Sequence, residues 1–341
     1  MSLATKYRPQ RFEDVCGNKT TVTILKKVIE ARKFKNVMLF AGASGCGKTT
    51  LARLVAKEIN GNSNGITELD CASHNSVDDI RVIIDLAKER SLDSEYKIFI
   101  LDECHMLSSA AWNASLKLLE ECPKYTLLFF CTTDPIKIPL TVLNRMQRYN
   151  ISKIDNKEII ARLKYVCNQE GYTNYDKACD FISKISAGSM REALTNLEKC
   201  VDYSSDLSLE NVKTVLGDLS YETMFKLTWS LTQKKEDQLF SIIESLDKSG
   251  QDLKAFITTY TEFILDLNKY IIFKDISLTN IPEYLASEEN PVAQFTINIE
   301  DNLNYFNKLV ETLLEVKLNT KYDTSCKNTI IIYLLKFMRA N

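Results

Sequence analysis

Short apolar runs alternate with helical patterns over residues 20–150 of this chain. Each run spans four to six residues, as buried strands do, and polar or glycine-rich turns separate the runs. This alternation is typical of an α/β domain whose parallel sheet is covered by helices on both faces. The predicted strands are residues 37–41, 66–69, 97–101, 126–131 and, more weakly, 147–151.

The pattern changes after residue 151, where apolar positions recur at helical spacing and strand-like runs largely stop. We therefore predict three domains, over residues 1–151, 152–206 and 207–341. The middle domain is small, with helices predicted at residues 155–170, 175–186 and 190–203. The last domain is all-helical, with long patterns at residues 221–231, 236–249, 253–273, 303–318 and 327–339.

The composition is that of an ordinary globular protein, with 45% hydrophobic and 26% charged residues in 341. A net charge of −2 argues against a broadly basic nucleic-acid binder, although a sum does not exclude a local positive surface. Ten cysteines without a CxxC pair, and only two histidines, indicate reduced thiols and predict no zinc or other structural metal. The N-terminus is charged where a secretory signal needs an apolar core, and no run approaches membrane-spanning length. We therefore expect a cytoplasmic protein without membrane contact.

Residues 42–49 read Gly-Ala-Ser-Gly-Cys-Gly-Lys-Thr and match the phosphate-loop pattern GxxxxGKT. A glycine-rich turn with an incidental lysine is the alternative. The predicted strand before the loop and the helical pattern over residues 51–59 after it favour nucleotide binding. Lys48 would then reach the β- and γ-phosphates, and Thr49 would hold Mg²⁺. The candidate nucleotide-binding residues are Gly42, Ala43, Ser44, Gly45, Cys46, Gly47, Lys48, Thr49 and Thr50.

Two adjacent carboxylates, Asp102 and Glu103, end the third predicted strand. Such an acidic strand end is often only solvated. Together with a phosphate loop, however, Asp102 could hold Mg²⁺ while Glu103 orients the attacking water, which predicts ATP hydrolysis. Neighbouring residues on a strand face opposite ways, so the turn that follows would aim the two side chains differently.

Three further residues are candidates on weaker patterns. Thr133 follows the fourth predicted strand, where its hydroxyl could sense the γ-phosphate. A Thr/Asp turn before a proline explains the same pattern equally well. Arg145 and Arg191 each lie where an arginine could meet a phosphate, although a lone arginine more often forms a surface salt bridge.

Several motifs follow one another along the first 200 residues. They are KYRPQRFEDVCG at residues 6–17, the phosphate loop, DECHML at residues 102–107, residues 113–121 and 132–139, and GSMR at residues 188–191. Jointly they resemble the ATPase subunits of bacterial clamp loaders, above all the gamma/tau subunits of DNA polymerase III. The resemblance weakens in the third predicted domain. It implies an AAA+ fold in which a P-loop domain precedes a helical lid at residues 152–206 and a helical oligomerisation collar at residues 207–341.

The resemblance also implies an activity and partners. In this family, subunits that have bound ATP and Mg²⁺ assemble in a pentamer-like ring with copies of themselves or a clamp-opening subunit. The assembly opens a ring-shaped sliding clamp and sets it on primer-template DNA, and hydrolysis releases the closed clamp. Two rival functions stay open. One is a structural clamp-loader subunit that binds nucleotide without hydrolysis, and the other is a different AAA+ DNA motor, such as a branch-migration helicase with a winged-helix third domain.

By position, the resemblance implies roles for single residues. Thr133 matches the first sensor, Arg191 the second sensor in the lid, and Arg145 the arginine finger that reaches a neighbouring subunit's γ-phosphate, with Arg148 next in line. The residues that match the adenine-binding segment are Tyr7, Arg8, Pro9, Val15 and Cys16. Candidate DNA contacts are Ser76, Arg81 and Lys137, and candidate clamp contacts are Met106 and Leu107. The alternatives are solvated surface residues for the first group and core packing for the second.

Three departures from the family pattern matter. The finger motif is Ser-Arg-Cys in the family but Asn144-Arg145-Met146 here, so only the arginine is kept. The four-cysteine zinc module of the bacterial subunits is replaced by residues 60–65, in agreement with the cysteine argument. The sequence ends at Asn341 without the long extension of the tau form, and its Lys-, Asn- and Ile-rich composition fits a bacteriophage or a small AT-rich genome without deciding between them.

Overall fold

The computed structural model describes residues 2–216, 221–248, 250–281, 299–320, 323 and 326–340. The chain forms two compact units. Met1–Tyr172 and Ser186–Glu198 make up the first, and Thr173–Ile185 and Lys199–Asn341 the second. The lid expected at residues 152–206 is therefore shared between the units. Parts of the expected collar, including residues 217–220, 249 and 282–298, lie outside the described residues.

A five-stranded sheet lies at the centre of the first unit, with the strand order β2-β3-β4-β1-β5. All neighbouring strands run parallel, which confirms the predicted α/β fold. Because parallel strands place their carboxyl ends at one edge, residues that follow β1, β3 and β4 come together there. The strands are β1 (Val37–Gly42), β2 (Ile66–Asp70), β3 (Lys97–Asp102), β4 (Thr126–Thr132) and β5 (Gln147–Ile151).

Helices account for most of the remaining described residues. In the first unit they are α1 (Leu3–Lys6), α2 (Lys19–Glu30), α3 (Lys48–Asn60), α4 (Val77–Ala87), α5 (Ser109–Glu120), α6 (Leu140–Leu143), α7 (Asn156–Glu170) and most of α9 (Met190–Tyr203). In the second unit they are α8 (Asp176–Ile185), α10 (Leu209–Leu216), α11 (Tyr221–Thr232), α12 (Glu236–Lys248), α13 (Leu253–Phe273), α14 (Ile299–Thr320) and α15 (Cys326–Ala340).

Alternate residues of the central strands face two separate hydrophobic cores. Met38 and Phe40 of β1 enter one core together with residues of α2 and α3. Val37 and Leu39 enter the other together with residues of α4 and α5. Strand β4 is buried at every position, because helices cover both of its faces. The sheet is therefore the middle of three layers, and α3, which follows the phosphate loop, is fixed against it.

The second unit is helical in its described residues, apart from one isolated bridge between Thr173 and Asp206. The 21-residue helix α13 packs along α14, which in turn packs along α15. Large apolar side chains such as Phe256, Phe306 and Leu334 form the shared core of these helices. Over the ranges given above, no helix combines the length and the apolar character that crossing a membrane requires.

Candidate nucleotide-binding site

The predicted phosphate loop connects β1 directly to α3. Gly47 is the N-cap of α3 with φ = 99°, a left-handed conformation that side chains other than glycine rarely adopt. Gly42 lies against β5, where an added Cβ would come within 2.0 Å of the Ile151 carbonyl oxygen. The glycines therefore let the loop turn tightly into the N-terminus of α3, where free backbone N–H groups can meet phosphate oxygens.

The segment that contains the predicted second sensor lies on the phosphate loop. The backbone N–H of Met190 donates a hydrogen bond to the Gly45 carbonyl oxygen at 3.2 Å. The Cys46 thiol donates a hydrogen bond to the Gly188 carbonyl oxygen, with 3.6 Å between sulfur and oxygen. Burial raises the pKa of the Cys46 thiol, so this thiol stays protonated at neutral pH. These contacts bring Arg191, at the start of α9, to the edge of the cleft.

Lys48 and Thr49 begin α3 and face the acidic end of β3. Lys48 is 5% exposed, and its ammonium donates to the Ala43 carbonyl oxygen at 2.9 Å. The Thr49 hydroxyl donates to Asp102 Oδ2 at 2.8 Å. A hydroxyl and a carboxylate are hard oxygen ligands, and Mg²⁺ in nucleotide sites takes one or two of these beside phosphate oxygens. The pair therefore fits the predicted Mg²⁺ site.

Glu103 turns away from Asp102 because its backbone is left-handed, with φ = 48°. Its N–H donates to Asp102 Oδ1 at 3.0 Å. Its carboxylate oxygen Oε2 accepts hydrogen bonds from the Thr133 hydroxyl at 2.9 Å and from the Thr133 N–H at 3.2 Å. The structure thus joins the proposed water-orienting residue to the proposed first sensor, although 30 positions separate them in sequence.

His105 is a neighbour of Glu103 that sequence reasoning did not single out. Its Nδ1 lies 3.3 Å from Glu103 Oε2 and 3.1 Å from the Thr132 hydroxyl oxygen. The side chain is only 11% exposed. Glu103 Oε2 therefore has two close neighbours, the Thr133 hydroxyl that donates to it and the His105 imidazole. His105 lies only two residues after Glu103 in the sequence, and this closeness could have indicated that the two side chains are neighbours.

The predicted base-binding residues line the same cleft as the phosphate loop. Of the predicted residues, the cleft is lined by Tyr7, Arg8, Pro9, Val15, Cys16, Ser44, Gly45, Cys46, Gly47, Lys48, Thr49, Thr50, Asp102, Glu103 and Arg191. Gly42 ends β1, and Ala43 accepts the Lys48 hydrogen bond through its carbonyl oxygen; neither is among the described lining residues. Lining residues that the sequence did not indicate are Ala4, Arg53, Ile154, Arg162, Met190 and Leu194. The helical spacing of Met190, Arg191 and Leu194 could have indicated one shared face.

The finger candidates lie outside this lining, as far as the described residues show. Arg145 follows α6, where its guanidinium pairs with Glu120 and also donates to the Thr141 carbonyl oxygen. Arg148 lies in β5 and donates to Asn150 Oδ1 at 2.7 Å. Arg145 is thus held by one carboxylate and one carbonyl of its own chain, and its side chain is 34% exposed.

The DNA candidates lie on the surface at helix starts and turns. Ser76 caps α4 in a capping box with Asp79. Arg81 pairs with Asp78 at 2.9 Å, and Lys137 lies 3.6 Å from an Asp134 oxygen. Each basic residue therefore has an acidic neighbour in its own chain.

The two clamp candidates have different environments. Met106 is 45% exposed, whereas Leu107 is 6% exposed and packs in the core beneath β3. Core packing, the alternative for both, is what the structure gives for Leu107. In the described part of the chain, no group of three or more His, Cys, Asp or Glu side chains is placed to hold a metal ion.

A family model and two proteins that match this chain in sequence are all described as subunits of DNA polymerase III. A protein-family model described as "DNA polymerase III, delta subunit" matches residues 71–155. The tau subunit of DNA polymerase III from Bacillus subtilis is 33% identical over 286 residues, which cover 77% of this chain and 51% of that protein. The gamma/tau subunit of Mycoplasma genitalium is 29% identical over 328 residues, which cover 88% of this chain and 55% of that protein. This chain spans about half the length of these curated relatives.

Among solved structures, the Thermotoga maritima RuvB Holliday junction branch migration motor is similar, with a TM-score of 0.53. The match covers 72% of this chain and 86% of that one at 18% identity, which shows a shared fold and nothing more. The sequence relatives narrow the family further, because the similarity to gamma/tau subunits extends over most of the chain. The chain is therefore a clamp-loader-like protein of the AAA+ class, related to the gamma/tau subunits of bacterial DNA polymerase III.

Proposed function

We propose that the chain is an ATP-hydrolysing subunit of a DNA polymerase sliding-clamp loader. The observation that carries the proposal is the convergence of Lys48, Thr49, Asp102 and Glu103 on one cleft, in a chain related to gamma/tau subunits. ATP binding would drive clamp opening and binding of primer-template DNA, and hydrolysis would release the closed clamp. Replication is the setting of such a reaction, in the cytoplasm of a bacterium or of an infected host cell.

Each residue of the cleft has a distinct task in this proposal. Lys48 binds the β- and γ-phosphates, while the Thr49 hydroxyl and the Asp102 carboxylate hold Mg²⁺. At this place Thr49 and Asp102 would hold a cation whose charge would offset the negative charge that develops on the phosphate oxygens. Glu103 orients the attacking water and takes its proton, and Thr133 holds Glu103 until a γ-phosphate competes for the Thr133 hydroxyl. Arg191 contributes a positive charge from α9.

Adenine binds at the other end of the cleft, against the N-terminal segment. The lining residues of this part form what we call the adenine wall. Tyr7, Arg8 and Pro9 make up one part of it, and Val15 and Cys16 make up the other. Burial raises the pKa of Cys16, so its thiol stays neutral and offers apolar surface to a base. The cleft thus offers Lys48 and Thr49 to the phosphates, and the rings and apolar surfaces of Tyr7, Pro9 and Val15 to the base.

The rival functions fit less well. A subunit that binds nucleotide without hydrolysing it needs neither a water-orienting carboxylate nor side chains that position it. Glu103 is nevertheless present, accepts two hydrogen bonds from Thr133 and has His105 beside it. A branch-migration motor was expected to have a winged-helix third domain. The described residues of the second unit are instead helical, with α13 and α14 each exceeding twenty residues. The likeness to RuvB therefore supports the shared ATPase fold and not a shared task.

Partners are proposed on the same basis. The sliding clamp, primer-template DNA and further loader subunits are the expected partners, because the relatives are subunits of DNA polymerase III. Ser76, Arg81 and Lys137 are exposed, and each would have to exchange an acidic neighbour of its own chain for a DNA phosphate. Met106 is exposed and is the remaining clamp candidate, since Leu107 is buried.

The proposal is tested by ATP turnover of the purified chain, measured alone and then with clamp, primed DNA and the partner subunits. We expect turnover to rise when all components are present, because the hydrolytic site is completed by a neighbouring subunit. Unprimed DNA and a clamp from an unrelated system are the controls. Turnover that ignores clamp and primed DNA would eliminate the clamp-loader function while leaving the ATPase assignment in place.

Replacing Arg145 by Ala is expected to leave ATP binding by the single chain unchanged and to lower the stimulated turnover by about 10³-fold or more, as loss of an arginine finger does elsewhere. The reason is that Arg145 lies away from its own cleft and can act only on a neighbour's γ-phosphate. Arg148→Ala is the matched control. Full stimulation of the Arg145 variant, with loss in the Arg148 variant, would transfer the finger role to Arg148.

A further inference from the structure

The N-terminal base-binding segment is tied to helix α7. The Lys6 ammonium donates to Glu170 Oε1 at 2.6 Å, and the Tyr7 hydroxyl donates to the same oxygen. Arg162, two turns earlier on α7, donates to the Tyr7 carbonyl oxygen at 2.9 Å. Side chain and backbone of Tyr7 are thus both held by one helix, across more than 150 positions of sequence.

Aromatic and cation–π contacts support the same link. The Tyr7 and Tyr165 rings meet edge to face, with centroids 6.4 Å apart. The Arg162 guanidinium lies 5.1 Å from the centre of the Tyr165 ring. These contacts fix the direction in which Tyr7 faces, in addition to its distance from α7.

Glu170 occupies an unfavourable position for an acidic residue. It is the last residue of α7, where unpaired carbonyl groups make the helix end negative and disfavour a carboxylate. Hydrogen bonds from Lys6 and Tyr7 offset this cost, and they hold the pKa of Glu170 below its usual value. Burial and the bond to Glu170 raise the pKa of Tyr7 to about 12, so the phenol keeps its proton and remains a donor. The Glu170 carboxylate therefore stabilises the position of the N-terminal segment and does not stabilise its own helix.

Tyr7 and Arg162 line the nucleotide cleft, whereas Glu170 is not among the described lining residues. We propose that Glu170 is a positioning residue for nucleotide binding, which shapes the adenine wall by holding Lys6 and Tyr7 on α7. The inference rests on the proposed function, since it takes ATP as the ligand. Its consequence is that base recognition depends on α7, while phosphate recognition depends on the loop before α3.

This separation gives the test, in which two ligands are compared. Mg-ATP uses both ends of the cleft, and inorganic tripolyphosphate with Mg²⁺ uses only the phosphate end. We expect Glu170→Ala to raise the Kd for ATP by about tenfold, the scale of one lost hydrogen bond to a charged group, and to leave the Kd for tripolyphosphate unchanged. Ala is a good helix former and removes a carboxylate from the helix end, so the unliganded variant should keep its melting temperature. Gln169→Ala, at the exposed neighbouring position of the same turn, is the matched control.

A double-mutant cycle tests whether Glu170 acts through Tyr7. Tyr7→Phe removes only the hydroxyl, and we expect it to weaken ATP binding in the wild-type background but not in the Glu170→Ala background. Equal loss of affinity for both ligands would show a general structural role and overturn the proposal. So would an ATP affinity that Glu170→Ala leaves unchanged, or additive effects of the two substitutions. Failure of clamp and primed DNA to stimulate the wild-type chain would remove the clamp-loader function without affecting this comparison of ligands.

Discussion

Replacing Glu103 by Gln is expected to leave ATP binding intact and to lower ATP turnover by about 10²- to 10⁴-fold, the usual contribution of a general base. Gln keeps the size of the side chain and an oxygen that can accept the Thr133 hydrogen bonds, but it cannot take a proton from water. Lys48, Thr49 and Asp102 are unchanged in this variant, so the phosphate end of the cleft should bind Mg-ATP as before. Equilibrium binding and steady-state turnover, measured on the same preparation, separate the two effects.

Glu58→Gln makes the same chemical change on the exposed side of α3 and serves as the control for the Glu103 variant. It should bind and hydrolyse ATP like the wild type. Turnover within a few-fold of the wild type in the Glu103 variant would mean that another group activates the water. His105, 3.3 Å from the Glu103 carboxylate, would then be the next residue to replace.

Replacing Lys48 by Ala is expected to raise the Kd for ATP by about 100-fold or more, because two charge-assisted hydrogen bonds to phosphates are lost at about 1.5–3 kcal/mol each. The buried ammonium is already placed in the loop by its bond to the Ala43 carbonyl oxygen. Little ordering of the side chain is therefore needed when phosphate binds. Titration with a fluorescent ATP analogue measures the change directly.

Lys57→Ala removes a lysine from the exposed end of the same helix and should bind ATP normally. The melting temperature of each unliganded variant shows whether the fold is intact. An intact Lys48 variant that still binds ATP within a few-fold of the wild type would contradict the phosphate-loop assignment. We therefore expect a different defect in each variant: Lys48→Ala loses ATP binding, and Glu103→Gln loses ATP hydrolysis.

The strands of the sheet could be predicted because their signal is local. Each predicted run agrees with the observed strand to within one residue, as β3 shows, predicted at 97–101 and found at Lys97–Asp102. Helices on both faces bury the central strands β1, β3 and β4, so most positions of these three are apolar. The first residues of a helix were harder to predict from the sequence where these residues are polar. Helix α3 starts at Lys48 instead of residue 51, since its first turn is built for phosphate and has no hydrophobic pattern.

The candidate site was predictable in part, for the same reason. The phosphate loop and the pair Asp102 and Glu103 are contiguous motifs whose residue types are set by their chemistry. The hydrogen bond between Glu103 and Thr133 was not predicted, because it joins the ends of β3 and β4, which lie side by side only in the folded sheet. Leu107 was offered as a clamp contact although it belongs to the core, since a single apolar residue after a strand fits either place.

The sequence by itself determined the phosphate loop and the carboxylate pair, because each is encoded within a few consecutive residues. It also determined the class of the fold, because strand and helix patterns alternate over residues 20–150. Only the tertiary structure decided how these parts meet. Folding places Asp102 at 2.8 Å from the Thr49 hydroxyl, and it brings Glu170 to Tyr7 across 163 positions. Such contacts depend on strand order and helix packing, which a pattern of neighbouring residues does not contain. The chemistry of the cleft is therefore local in sequence, whereas the shape of its adenine wall is a property of the fold.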